Sequence, residues 1–182
     1  HYRCSELWDI GRHLIRASAS RREYRKAVEL ARRDVPTIRP IAFGEVLRSG
    51  VVGDNFLITE GIPHAVSLQT YVAQWLPQLP GREQRRLRIK LTRALARICA
   101  AAHEAGVFHD DFHGGIVLVR VDTGAGEADD PRLPELFLVD LPGIRFSGPL
   151  DWRRSRQSLI MLNSDWYEKV SSWISCMVRP DN

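Results

Sequence analysis

Apolar residues recur with two different periods along this chain, and the changes of period mark out its elements. Leu7, Ile10, Leu14 and Ile15 have roughly helical spacing and predict a helix over residues 5–16. A second apolar helical face follows in Tyr24, Ala27, Val28 and Ala31. Ser18 and Ser20 are both candidate N-caps for it. Ser20-Arg21-Arg22-Glu23 fits a capping box, in which Glu23 reaches back to the cap backbone. That helix stops before Pro36, and the stretch to Pro40 reads as extended. Residues 41–47 and 55–60 predict two strands, joined through residues 48–54 with their turn formers Ser49-Gly50 and Gly53-Asp54. Gly61-Ile62-Pro63 ends the second strand.

Beyond Ser67, another N-cap candidate, Leu68, Tyr71, Val72 and Trp75 fall at i, i+3, i+4 and i+7 and predict a helix. Pro77, Pro80 and Gly81 break it. Residues 82–105 carry the longest helical pattern, with Leu87, Leu91, Leu95, Ile98 and Ala102 as the buried stripe. Arg82, Arg85, Arg86, Arg93 and Arg97 lie largely off that stripe. The helix ends near Gly106, a polar turn follows, and residues 116–121 read as a strand. Residues 122–134 form a polar, Gly/Asp-rich loop. Residues 136–139 make a short strand that runs straight into Asp140, followed by an irregular turn through Arg145. Residues 151–162 predict a helix capped by Asp151, and Ser164 or Asp165 can start a last one. Helices and strands come in groups and do not alternate strictly. This predicts an α+β chain with two lobes joined near Gly61, residues 1–62 and 63–182.

Composition narrows the classes. The 182 residues are 44% hydrophobic, enough for a sizeable core in one domain or two small lobes. The net charge of +4 is unevenly spread: residues 1–33 hold nine Lys/Arg against four acids, and residues 122–140 hold six acids and one Arg. A basic surface can meet nucleic acid, anionic lipid or a phosphorylated substrate, or be no more than solvated helix faces. The five Trp are scattered with no stacking platform or recognition motif, which argues against nucleic acid. Cys4, Cys99 and Cys176 are far apart and no pair has metal-ligand spacing, which suggests a reducing compartment. No leader and no apolar run near the ~18 residues that span a bilayer is evident. The expectation is a cytoplasmic chain, with contact at the inner face of the membrane left open. It opens on His1 without a Met and reads as a fragment.

Candidate chemistry concentrates in residues 103–119. His109-Asp110-Asp111 and His113 crowd one turn, and Asp111 and Asp140 each stand at the edge of a short strand. A strand pair joined by the 122–134 loop brings these two carboxylates to the same end. One can then accept a proton from a hydroxyl while the other holds a divalent metal on a phosphate. Both can equally be turn or cap residues, common roles for Asp. The His/Asp cluster also suggests a metal site, but a catalytic zinc needs at least three ligands, and His64 and His103 are isolated. Gly114-Gly115 lacks the Lys-Ser/Thr of a P-loop and reads better as a tight turn.

His109-Asp110-Asp111-Phe112-His113-Gly114-Gly115 resembles the catalytic loop of the protein-kinase-like superfamily, His-x-Asp-x-x-x-x-Asn. Val139-Asp140-Leu141 resembles the metal-binding Asp one strand later, and the turn through Arg145 is similar to the family's Asp-to-Arg turn. Ser20-Arg-Arg-Glu-Tyr and residues 35–45 look like its αC helix and the entry to the next strand. Together these are similar to the lipopolysaccharide kinase family (Kdo and heptose kinases), itself similar to RIO-type kinases, over roughly residues 1–170. The resemblance implies a protein-kinase-like two-lobed fold, with an incomplete N-lobe in residues 1–62 and a mostly helical, truncated C-lobe in 63–182. It implies ATP- and Mg²⁺-dependent phosphoryl transfer to a sugar hydroxyl of the lipopolysaccharide core, on a free or lipid-linked sugar. Asp111, with His109 beside it, would be catalytic and Asp140 would bind Mg²⁺. Glu23 would pair with the phosphate-positioning lysine, and the backbone from Glu60 to Ile62 would meet adenine.

Three departures qualify the resemblance. The second-metal Asn belongs five residues after Asp111, where Ile116 stands, and a hard Mg²⁺ wants oxygen ligands. No Lys precedes Lys26, so Glu23 lacks an obvious partner and its capping-box reading gains weight. Residues 170–182 no longer resemble the family. The expectation is therefore weak or absent activity and exposed apolar surface. The alternatives are a pseudokinase or binding module, and a small-molecule phosphotransferase of the aminoglycoside or choline kinase kind.

Overall fold

The structure, a computed structural model, describes residues 17–48, 51–120 and 134–163. The predicted helices over 5–16 and from Ser164, and nearly all of the 122–134 loop, lie outside the described residues. The chain divides into two compact units between Ile62 and Pro63.

The described residues of the first unit form one helix and a two-stranded antiparallel sheet. Helix α1 (Ala19–Arg32) starts at Ser18, whose Oγ accepts from the Arg21 amide at 3.2 Å. Ser18 Oγ also donates to Glu45 on strand β1 (Pro40–Arg48), and the Ser20 amide donates to Asn55 Oδ1 on strand β2 (Val51–Thr59) at 3.0 Å. Two of the helix's orphan N-terminal donors are thus satisfied, one by the sheet. Ser20 is therefore inside the helix, and the expected capping box through Glu23 is not formed. Glu23 instead faces inward with Ser20, Ala27 and Leu30, so the buried stripe is rotated from the apolar one. The Ser20 hydroxyl is held there by Ser18 Oγ at 3.2 Å. The helix ends in a Schellman motif: Asp34 takes a left-handed conformation, the Val35 amide donates to the Leu30 carbonyl at 3.0 Å, and both flanking apolar side chains are buried. Strands β1 and β2 run longer than predicted because register shifts absorb extra residues, and Gly53-Asp54 lies within β2. Ile41, Phe56 and Ile58 are exposed.

The second unit holds the remaining elements. Strand β3 (Ala65–Ser67) leads into α2 (Leu68–Thr70), capped by Ser67 Oγ at 3.0 Å from the Thr70 amide. Tyr71–Trp75 then winds as a π-helix, and its wider turn carries Trp75 out to 47% exposure and puts Leu76 in the core. The predicted i+7 contact of Trp75 is thereby lost. Helix α3 (Gly81–Glu104) buries Leu91, Ala94, Leu95, Ile98, Cys99 and Ala102. Burial pushes the Cys99 thiol up to about 11, which makes it an unreactive packing residue. Gly106 follows the helix at φ +70°, where its amide donates to the His103 carbonyl at 3.0 Å. A Cβ there would stand 2.2 Å from the Ser147 carbonyl oxygen, so only glycine fits.

Past Gly106 the chain makes strand β4 (Val107–His109), which the sequence pattern assigns to the polar turn. It pairs antiparallel with β7 (Ile144–Phe146). Strand β5 (Val117–Arg120) sits between β3 and β6 (Leu136–Leu138), both antiparallel to it. Helix α4, residues 152–163, is capped by Asp151, whose Oδ1 accepts from the Arg154 amide at 2.8 Å. No described helix is long and apolar enough to cross a membrane.

Burial lowers the pKa of His103 in the last turn of α3. The unfolded chain then binds this proton more readily than the folded one, so folding is favoured fully above the unfolded value. That contribution falls as pH drops from about 6.5 through the lowered folded value. The melting temperature of His103→Gln should therefore lose less than that of the wild type between pH 7.5 and pH 5, measured by thermal denaturation. Equal losses would show that His103 is not the group.

Candidate active site

The site is assembled where the hairpin β5–β6 brings two loops to one end. Asp111 precedes β5 and Asp140 follows β6, and the pairing Val117↔Leu138 sets them side by side. The Val139 amide donates to the Ile116 carbonyl at 2.8 Å and ties the two loops directly. The 3-10 turn Gly114–Ile116 takes Ile116 out of the strand predicted for it and buries its side chain to 4% exposure.

His109 is the centre of the arrangement. Its ring is 2% exposed, and both nitrogens are engaged: Nδ1 accepts from the Asp111 amide at 3.1 Å and Nε2 lies 2.9 Å from the Asp140 carbonyl. An acceptor Nδ1 leaves the proton on Nε2, which donates to that carbonyl. One imidazole therefore fixes the backbone of both candidate carboxylates. The Asp140 carboxylate approaches the same ring at 3.9 Å. Asp140 is held at φ 63°, ψ 61°. A non-glycine residue in this left-handed region is uncommon, and such strain concentrates at functional sites.

Two further contacts define the loop. Asp110 is bound by Arg145 at 2.7 Å, and its amide donates to the Gly143 carbonyl at 3.0 Å. Its neighbour Asp111 is left open, with a side chain 84% exposed and His113 Nε2 at 3.8 Å. His113 Nδ1 accepts from the Gly115 amide at 3.0 Å, which orients the ring. Of the paired aspartates, Asp111 is thus the one free to meet a ligand.

Sequence reasoning misses Gly143. A Cβ on it would stand 2.4 Å from His109 Cε1, so the turn must carry glycine for the imidazole to lie where it does. The glycine after Pro142 is the only sequence signal for it. The Arg145–Asp110 pair is another addition, readable only once β4 and β7 are known to pair.

His109, Asp111, Ile116 and Asp140 all belong to the second unit, whereas Glu23, Glu60 and Ile62 belong to the first. Glu23 is buried on α1. The Glu60 amide donates to the Arg39 carbonyl at 2.9 Å, its carboxylate reaches Arg39 at 3.4 Å, and Ile62 ends that unit. Among the described residues no group of three or more His, Cys, Asp or Glu is arranged to hold a metal ion. Asp140 offers a half-exposed carboxylate. That donor set suits a Mg²⁺ that brings most of its ligands as phosphate oxygens and water. It does not suit a second ion, because Ile116 offers no oxygen from its side chain.

The sequence profile of the lipopolysaccharide kinase (Kdo/WaaP) family matches residues 9–142. Lipopolysaccharide core heptose(I) kinase WaaP of Pseudomonas aeruginosa is 28% identical over 151 residues, 80% of this chain and 54% of that protein. Its Escherichia coli counterpart is 31% identical over 121 residues, 65% of this chain and 43% of that protein. The chain thus spans about half the length of the curated relatives it matches. The solved structure of WaaP in complex with acyl carrier protein matches with a TM-score of 0.59 at 24% identity, covering 80% of this chain and 58% of that one. That likeness establishes the mixed α+β, protein-kinase-like fold. With the profile spanning most of its length, this chain belongs to the lipopolysaccharide kinase (Kdo/WaaP) family.

Proposed function

We propose that this chain carries the catalytic half-site of an ATP-dependent phosphotransferase acting on a sugar hydroxyl of the lipopolysaccharide core. The observation that carries the reading is His109, whose two ring nitrogens tie the Asp111 and Asp140 backbones into one rigid unit. Asp111 accepts the proton of the acceptor hydroxyl as its oxygen bonds to the γ-phosphorus. The bond from that phosphorus to the bridging oxygen breaks, and ADP leaves. Asp140 would hold Mg²⁺, which neutralises phosphate charge. Glu23 and the backbone from Glu60 to Ile62 serve the nucleotide from the first unit. His109 positions and does not touch the substrate. The acceptor is a lipid-linked sugar, met at the inner face of a membrane by a cytoplasmic chain.

Ile116 makes transfer slow, because one oxygen ligand to a second ion is absent. The same residue supports a second reading, a pseudokinase that binds without transferring. Transfer from radiolabelled ATP to dephosphorylated lipopolysaccharide, its lipid retained, tests the proposal. Label incorporated by the wild type should fall at least about a hundredfold in Asp111→Asn, the scale of a lost general base. Incorporation that survives in Asp111→Asn would remove Asp111 from the chemistry, and none in the wild type would favour the binding module.

A further inference from the structure

We propose that the outward face of α3 docks this protein on a bilayer surface rich in anionic headgroups. Arg82, Arg86, Ile89, Arg93 and Arg97 stand at i, i+4, i+7, i+11 and i+15, so they share one face, and Arg85 flanks it. The buried stripe through Leu91, Leu95, Ile98 and Ala102 lies on the opposite side. All five arginines are exposed, and Ile89 between them is 49% exposed. Among the described residues, no acidic side chain pairs with Arg82, Arg85, Arg93 or Arg97. Within α3 itself the acids are Glu83 at its start and Glu104 at its last residue.

At 1.5 Å per residue the row extends about 22 Å along a helix. A long positive row is attracted to any polyanion. Its remaining features favour a bilayer. The face carries no aromatic on which bases could stack, as single-stranded nucleic acid binding requires. Its apolar member, Ile89, is flanked by long arginine stems, the composition that lets a helix settle at headgroup level with its charges among the phosphates. Ala96 and Ala100 on the same face leave close approach unhindered. The choice of a bilayer rests on the reading of the acceptor as lipid-linked. Docking through α3 would keep the chain at the surface where that acceptor resides.

Sedimentation with vesicles tests this without nucleotide, so its outcome is separate from that of the kinase reading. The chain should sediment with phosphatidylcholine–phosphatidylglycerol vesicles, not with phosphatidylcholine alone, and added salt should release it. Each basic residue near an anionic surface is worth roughly fivefold in partitioning. The variant with Arg82, Arg85, Arg93 and Arg97 all changed to Gln should therefore partition at least about a hundredfold more weakly, with unchanged circular dichroism. Should that variant fold poorly, Ile89→Gln should reduce partitioning severalfold on its own. Equal binding to neutral vesicles, unchanged partitioning of the folded variants, or binding of RNA but not of vesicles would each overturn the assignment. Vesicle binding by a chain that ignores Mg-ATP would leave the docking face standing and remove the enzyme.

Discussion

Gly143→Ala should destabilise the second unit by about 3 kcal/mol and abolish whatever nucleotide binding the wild type shows. The new methyl group would stand 2.4 Å from His109 Cε1, and the ring is buried with nowhere to retreat. Forcing an extra carbon into a packed site costs roughly 1–3 kcal/mol. Displacing the imidazole also strands the Asp111 amide and the Asp140 carbonyl, each of which loses its bond to the ring. These two groups are only partly buried, so water can recover some of that loss, and most of the cost comes from the clash. The consequence for function comes from the same bonds, because the left-handed Asp140 is held partly through its carbonyl. Chemical denaturation and a nucleotide titration on one preparation would check both halves. A stable variant that still binds would show that His109 does not hold the site together.

Ile116→Asn should have effects of opposite sign with and without nucleotide. The side chain is 4% exposed, so exchange for an amide removes apolar contacts and buries a polar group, a loss of about 3 kcal/mol in the free protein. If the amide oxygen reaches a metal carried by ATP, part of that loss is recovered on binding. The thermal shift produced by Mg-ATP should then be larger in the variant than in the wild type, and transfer should rise. A variant that is merely less stable, with an unchanged shift, would mean that position 116 does not face the metal. The backbone carbonyl of Ile116 already holds Val139, so the loop connection survives the exchange.

How far the sequence discloses this arrangement differs from element to element. The apolar spacing over residues 82–105 specifies α3 because a long helix with a continuous stripe needs no distant partner to declare itself. The hairpin of β5 and β6 is legible for the same local reason, and with it the placement of Asp111 and Asp140 at one end. Strand β4 is not. Its three residues are a strand only because β7, some 35 residues later, pairs with them. The face of α1 is misread because Ser20 and Glu23 are polar, and apolar spacing alone gives no sign that they are buried with Ala27 and Leu30. Trp75 is misplaced because a π-turn breaks the 3.6-residue period on which the expectation rests. Within the site, residue types and spacing indicate Asp111, Asp140 and the departure at Ile116. They do not show that His109 bonds both loops or that Gly143 makes room for it, since those are contacts across 31 and 34 positions of sequence.

Calorimetric titration with ATP, with and without Mg²⁺, tests the central claim most directly: that Asp111 and Asp140, held together by His109, form a phosphoryl-transfer site. Binding should require Mg²⁺ in the wild type, weaken at least about tenfold in Asp140→Asn, and persist in Asp111→Asn, which removes a proton acceptor and no metal ligand. Mg-ATP that fails to bind the folded wild type, or that binds Asp140→Asn equally well, would contradict the account.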